Sequence, residues 1–135
     1  MMIRYANESD WEVLMNYDKH ICPNELKNSI HAKRVLVVIE NDIVIGWLRY
    51  NLFWDHIPFM YMLYFLSEYR RKGYGKQLVQ FWEKKMKETN YKMVLTSTLS
   101  DESAQFFYRH IGYHDCGSLQ LPHEPLEIIM MKNLA

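Results

Sequence analysis

The hydrophobic pattern of the chain changes period several times. Between residues 34 and 66 the apolar positions run almost unbroken through "RVLVVIE", "IVIGWLRYNLFW" and "FMYMLYFL". Their β-branched and aromatic side chains suit a pleated, half-buried surface, so each stretch predicts a strand. Asn41-Asp42, between the first two, suits a tight hairpin turn and pairs them antiparallel. The third stretch follows Pro58 and is apolar on both alternating sets of positions. It is expected inside the sheet with both faces covered, and it ends at Ser67.

From Tyr74 the period lengthens. Leu78, Phe81, Trp82 and Met86 recur at helical spacing, with Lys84, Lys85 and Lys87 left for solvent. "KMVLTSTL" restores strand character, and "DESAQFFYRH" returns to a helix with Ala104, Phe107 and Tyr108 on one face and Gly112 as its stop. "YHDCGSL" and "LEIIMMK" read as two closing strands. Upstream, Ile3 to Tyr5 predicts a short strand, Asn7 or Ser9 caps a helix reaching Asp18, and a second helix runs from Asn24 to His31 after Pro23. Two helices, then strands, then a βαβαββ order predict an α/β sandwich around a mixed sheet.

Composition narrows the function classes. With 135 residues, 49% of them apolar, the chain can bury one substantial core, and no repeat, biased tract or Gly/Ser/Pro linker divides it. One domain over residues 1–135 is expected. Sixteen Lys plus Arg balance sixteen Asp plus Glu, so the broad basic surface that nucleic acid needs is lacking, and no nucleic-acid partner is expected. Cys22 and Cys116 form neither a disulfide framework nor a metal-spaced set; two reduced thiols fit a cytoplasmic location. "MMIRYANESDW" has no apolar core of a leader, and no run nears the roughly eighteen apolar residues of a spanning helix, so no membrane partner is expected. His20, His31, His110, His114 and His123 show no ligand spacing, and no metal is assigned.

Within this neutral chain, positive charge is local. "SEYRRKGYGKQ", residues 67–77, sets Arg70, Arg71, Lys72 and Lys76 around Gly73 and Gly75 at the mouth of a helix. Unpartnered amides and the macrodipole already make a helix N-terminus positive. Added cations are unfavourable there unless a strongly negative group such as a pyrophosphate sits among them. Taken alone, the loop reads equally well as a solvated turn between strand and helix, since short glycine motifs recur by chance. The dinucleotide fingerprint needs a third glycine, where this chain has Leu78, and an acidic residue about 20 positions on, where it has Leu95-Thr96-Ser97. No Gly-Lys-Ser/Thr follows for a P-loop.

The stretch resembles the acyl-CoA loop of the GNAT superfamily of N-acyltransferases, Gln/Arg-x-x-Gly-x-Gly/Ala, with Arg70, Gly73 and Gly75 at its fixed positions. Glycines there let backbone amides from Arg71 through Lys72, Tyr74 and Lys76 approach a pyrophosphate. "LYFLSEYRRKG" looks like the family's fourth-strand segment, where Leu63, Tyr64 and Phe65 would pair with the pantetheine arm as an added strand does. "DESAQFFYRHIGY" is similar to the family's Asn-x-x-Ala-x-x-Phe-Tyr-x-x-x-Gly-Phe/Tyr, aligning without a gap at Ala104, Phe107, Tyr108, Gly112 and Tyr113. Asp101 stands at the Asn position; a carboxylate there can accept but not donate, and it suits a helix cap.

The resemblance implies a GNAT-like three-layer α/β sandwich with a mixed, mostly antiparallel sheet splayed near strand 4. It implies an acetyl-CoA-dependent N-acetyltransferase, with acetyl-CoA as cosubstrate and a primary amine of a small molecule, peptide or protein as acceptor. A homodimer is compatible with it. Tyr108, with a reference pKa near 10 against a thiol near 8.5, would hydrogen-bond the departing thiolate, since full transfer is uphill by about 1.5 units. The Phe65 N–H would meet the oxyanion. For the base, residues 58–66 hold no carboxylate; Glu68 follows at the loop, and Asp55 and His56 before the strand are the better placed toward an acceptor cleft. Tyr50, Trp54, Tyr61 and Tyr64 are candidate pocket aromatics, though strand aromatics usually pack in a core. A catalytically silent acyl-CoA-binding or regulatory domain is the alternative.

Overall fold

A computed structural model describes residues 1–135. Seven strands hydrogen-bond in the order β1-β2-β3-β4-β5-β7-β6: β1 (Met2–Tyr5), β2 (Val35–Glu40), β3 (Ile43–Phe53), β4 (Ile57–Phe65), β5 (Met93–Leu99), β6 (His114–Leu119) and β7 (Glu127–Asn133). Four helices accompany them: α1 (Trp11–Tyr17), α2 (Pro23–His31), α3 (Tyr74–Glu88) and α4 (Ala104–His110). The sheet is mixed, with β4 and β5 parallel and the other registered pairs antiparallel. No helix is long and apolar enough to cross a membrane. The chain divides into two compact units, Met1–Asn51 with Met62–Trp82, and Leu52–Tyr61 with Glu83–Ala135.

In the first unit β2 is covered on both faces. Val35 and Val37 of β2 join Leu14, Leu26, Ile30 and Trp47 in the core under α1 and α2. Leu36 and Val38, alternating to the opposite face, are equally inaccessible, and α3 supplies buried Leu78, Val79 and Trp82, with Trp82 meeting Tyr50 of β3 at 5.6 Å. Asn7 caps the first helical turn: its side chain accepts from the Ser9 amide at 2.9 Å, while Asp10 accepts from the Asn7 amide at 2.8 Å. Asn41 (φ 52°) and Asp42 (φ 63°) are both left-handed, as a two-residue hairpin turn between β2 and β3 requires. On β3, Gly46 leaves the space that the Phe65 ring fills, since a Cβ there would lie 2.4 Å from Phe65 Cδ1.

The second unit holds β5, β6, β7 and α4 with the turn between β3 and β4. β4 and β5 register in parallel at Phe59↔Leu95 and Met60↔Thr96. β6 forms the sheet edge, exposed at every position. Glu83 anchors a buried network, accepting from Tyr113 Oη at 2.7 Å and Lys132 Nζ at 2.9 Å, while Lys132 also donates to the Ile111 carbonyl at 2.9 Å.

One expectation is corrected. β4 is not covered on both faces, since Tyr61 is 50% and Tyr64 42% exposed. A tyrosine counts as apolar in a sequence pattern, yet its phenol end tolerates water. Asp55 and His56 lie in the turn that begins β4, where Trp54 (φ 54°) and Asp55 (φ 67°) are left-handed and His56 N donates to the Phe53 carbonyl at 3.2 Å. Phe65 ends the same strand.

The contact at Gly46 predicts that Gly46→Ala costs about 1–3 kcal/mol of stability in urea unfolding, because the Phe65 ring cannot keep its place beside a methyl group. Gly117→Ala, where a Cβ meets nothing within 4 Å, is the control and should shift the midpoint little.

Candidate active site

The end of β4 is held at three points. The Phe65 ring, 7% exposed, sits over Gly46; the Phe65 carbonyl accepts from Arg70 Nε at 2.9 Å; and the next amide, Leu66 N, donates to the Ile45 carbonyl at 2.9 Å. A 3-10 turn, Ser67–Tyr69, then reverses the chain, with Tyr69 N bonded to Leu66 O at 2.9 Å. Arg71 (φ 61°) and Gly73 (φ 81°) are left-handed. A Cβ at Gly73 would meet nothing within 4 Å, so backbone conformation rather than crowding calls for glycine and the space above it is open.

The first intrahelical bond of α3 runs from Gln77 N to Gly73 O at 3.2 Å, so the amides of Tyr74, Gly75 and Lys76 precede it and are free to turn outward. The first turn of α3 holds no acidic side chain. Arg71, Lys72 and Lys76 are exposed around it. A fifteen-residue helix thus presents its positive end, open glycine backbone and three cations in one place, a combination suited to a multiply charged anion. Glu40 is occupied: Tyr74 Oη donates to it at 3.1 Å, and that bond raises the phenol pKa. The Tyr74 ring packs 6.1 Å from Phe65. Leu63 is half-buried and Tyr64 exposed on the same strand end, and Glu68 is exposed with its carboxylate taken by Ser67 Oγ at 2.9 Å.

In the second unit, Tyr108 of α4 is 6% exposed, edge-on to Phe107 at 5.2 Å and Tyr113 at 5.7 Å. Burial pushes its phenol up to about 12, with Thr96 alongside the hydroxyl. Thr96 Oγ1 donates a hydrogen bond to the Met60 carbonyl at 3.1 Å. Phe107 is half-buried, whereas Ala104 and Asp101 are exposed. Asp101 does not cap α4: the N-cap is Ser103 with no side-chain bond, and the nearby Leu99 amide donates to Glu102 Oε1 at 3.1 Å. No three His, Cys, Asp or Glu side chains gather as metal ligands.

The structure thus groups Leu63, Tyr64, Phe65 and Arg70 through Lys76 in one unit, and Asp101, Ala104, Phe107 and Tyr108 in the other. Sequence reasoning missed Gly46, Glu40 and Thr96. Gly46 had a signal, since a glycine inside a β-branched run marks close approach of another group; Glu40 and Thr96 had none.

The sequence profile of the acetyltransferase (GNAT) family matches residues 3–113. The chain belongs to the GNAT family. No curated protein matches this GNAT chain in sequence. Its fold is similar to that of Ard1 from Thermoplasma volcanium, with a TM-score of 0.86, 15% identity, and 99% of this chain and 97% of that one covered. It is also similar to the ribosomal-protein-alanine N-acetyltransferase of Brucella melitensis, at 0.83 and 18% over 98% and 99% of the chains. The PaiA N-acetyltransferase of Thermoplasma acidophilum, solved in complex with coenzyme A, scores 0.80 at 20% identity over 98% of each chain. These structural likenesses show the fold.

Burial of Tyr108 carries a pH consequence. The folded protein holds the phenolic proton more tightly than the unfolded chain, so this contribution to stability is complete below about pH 10 and is lost as pH rises from there through about 12. In an absorbance titration by rapid pH jump, a phenolate component near pH 12 should be present in the wild type and absent from Tyr108→Phe. A normal midpoint near 10 would mean that the phenol is solvated.

Proposed function

We propose that residues 1–135 work as one N-acetyltransferase domain that moves an acetyl group from acetyl-CoA to a primary amine. The observation that carries this reading is the α3 terminus, a positive helix end with no acidic residue in its first turn, open backbone at Gly73, and Arg71, Lys72 and Lys76 around it. Acetyl-CoA as cosubstrate agrees with membership of the family and with the coenzyme A bound by the Thermoplasma acidophilum neighbour. An amine acceptor agrees with neighbours that are N-acetyltransferases.

When bound, acetyl-CoA supplies an acetyl thioester, an activated carbonyl with a thiolate leaving group. The amides from Arg71 to Lys76 bind the pyrophosphate, and the three cations offset its charge. Leu63 to Phe65 pair along the pantetheine arm as an added strand would. The Phe65 N–H donates to the carbonyl oxygen as the amine's lone pair forms the N–C bond and the C–S bond breaks, a role commonly worth about 3 kcal/mol. The acceptor nitrogen gives up one proton to attack and a second as the amide forms; one of these finishes on the thiol.

Tyr108 hydrogen-bonds the departing sulfur. With its pKa near 12, transfer of its proton to a thiolate is uphill by about 3.5 units, steeper than the ordinary tyrosine value suggests, so it acts as a donor and not as the acid. With no carboxylate in residues 58–66, a water relay is the consistent route for the amine proton. The deep burial of Tyr108 also suits a core tyrosine. That favours a second reading, a catalytically silent acyl-CoA-binding domain.

Gly75→Val places a branched side chain where the pyrophosphate lies, so affinity for CoA should fall at least tenfold, about 1.4 kcal/mol, in a protein that keeps its fold. Isothermal titration checks this, with ATP and NAD as competitors that should bind more weakly than CoA; an unchanged CoA affinity would reject the loop assignment.

Tyr108→Phe separates the two readings. Loss of a hydrogen bond made chiefly in the transition state should lower kcat on the order of 10- to 1,000-fold and leave the CoA dissociation constant within about threefold. A core tyrosine instead gives a lowered melting temperature with full turnover, measured as thiol release across an amine panel.

A further inference from the structure

Arg70 fills the first fixed position of the phosphate-loop motif, yet its side chain reaches back to the strand that precedes it. Its Nε donates to the Phe65 carbonyl at 2.9 Å, and its guanidinium carbon lies 4.8 Å from the centre of the Tyr64 ring. These contacts bracket the Tyr64–Phe65 peptide group, whose N–H is the oxyanion donor of the acyltransfer reading. The flanking groups are already fixed: the Phe65 ring fills the gap over Gly46, and Leu66 N is bonded to Ile45 O at 2.9 Å. The Tyr64 ring is itself seated on buried Trp47 at 4.9 Å. Arg71, Lys72 and Lys76 make no such bond to the strand.

We propose that Arg70 is a positioning residue that orients the end of β4 and its Phe65 N–H, while Arg71, Lys72 and Lys76 supply the charge that answers the phosphates. This rests on the acyltransfer reading for its consequence but not for its geometry. A planar guanidinium can donate through Nε and lie on an aromatic face at once, whereas a lysine keeps the charge and loses both the plane and the second contact. Charge-conserving replacement therefore separates orientation from phosphate binding.

The test uses Arg70→Lys and Arg70→Gln with Arg71→Gln as comparator. In the ligand-free protein, exchange of the Leu66 amide, which shares a peptide unit with the Phe65 carbonyl, is followed by NMR. CoA affinity is measured at low and high salt, and turnover as thiol release with an amine that the wild type accepts. Both Arg70 variants should exchange the Leu66 amide at least tenfold faster. For Arg70→Lys the CoA dissociation constant should stay within about threefold at both salts, with an unchanged salt slope, while kcat falls at least tenfold. Arg71→Gln should show the converse, a flatter salt dependence with normal exchange, since exposed phosphate contacts are screened by salt. Unchanged Leu66 exchange in both Arg70 variants, or a tenfold loss of CoA affinity in Arg70→Lys, would overturn the proposal. Failure of the wild type to bind CoA would instead sink the acyltransfer reading, and the exchange measurement would still decide whether Arg70 holds the strand end.

Discussion

The seating of Phe65 over Gly46 fixes where β4 ends, and the loop and the start of α3 follow from that point. A Cβ at position 46 would meet the ring at 2.4 Å, so this contact exists only because β3 carries a glycine in an otherwise β-branched and aromatic run. Glycine in a strand interior costs conformational entropy. Here the cost is offset by an aromatic ring buried to 7% exposure. With the ring held, Leu66 bonds to β3, the 3-10 turn begins at Ser67, and the left-handed residues Arg71 and Gly73 turn the chain into α3.

The strand behind this point is braced by polar chemistry inside the core. Asp18, at the C-cap of α1, has a fully buried side chain that accepts from Arg49 Nε at 3.0 Å, Trp47 Nε1 at 3.2 Å and the His20 amide at 3.1 Å. A buried ion pair contributes little net stability against an apolar replacement, because desolvation offsets the attraction; breaking one partner is the costly change. Its value lies in specificity of arrangement. Two donors from β3 and one from the loop after α1 fix the end of α1, and Trp47 then lies between Tyr17 at 5.8 Å and Tyr64 at 4.9 Å.

In the other unit, burial sets the chemistry. Tyr113 donates a hydrogen bond to the Glu83 carboxylate, which Lys132 also holds, and its own pKa is driven upward by burial and by that carboxylate. Tyr108 lies beside it with only Thr96 alongside its hydroxyl and reaches about 12. Two tyrosines one helical turn and a bend apart thus differ in role through their partners: one is locked to a carboxylate, the other keeps a hydroxyl whose neighbour is another hydroxyl.

The sequence by itself determined the element order, because period and turn chemistry are local. Val35 to Glu40 and Ile43 to Phe53 around Asn41-Asp42, Leu78 to Met86 at helical spacing, and the two glycines of the cationic loop all acted through neighbours along the chain. The cationic, glycine-bearing mouth of α3 was legible for the same reason, since its glycines and cations lie within seven residues of one another. Tertiary structure alone decided which groups meet across distance. It exposed Tyr61 and Tyr64 on a strand that reads as fully apolar, left Asp101 without a capping bond, and joined Glu40 to Tyr74 and Arg70 to Phe65. It also set the tyrosine pKa values, because burial depends on what folds over a side chain, which no local pattern records.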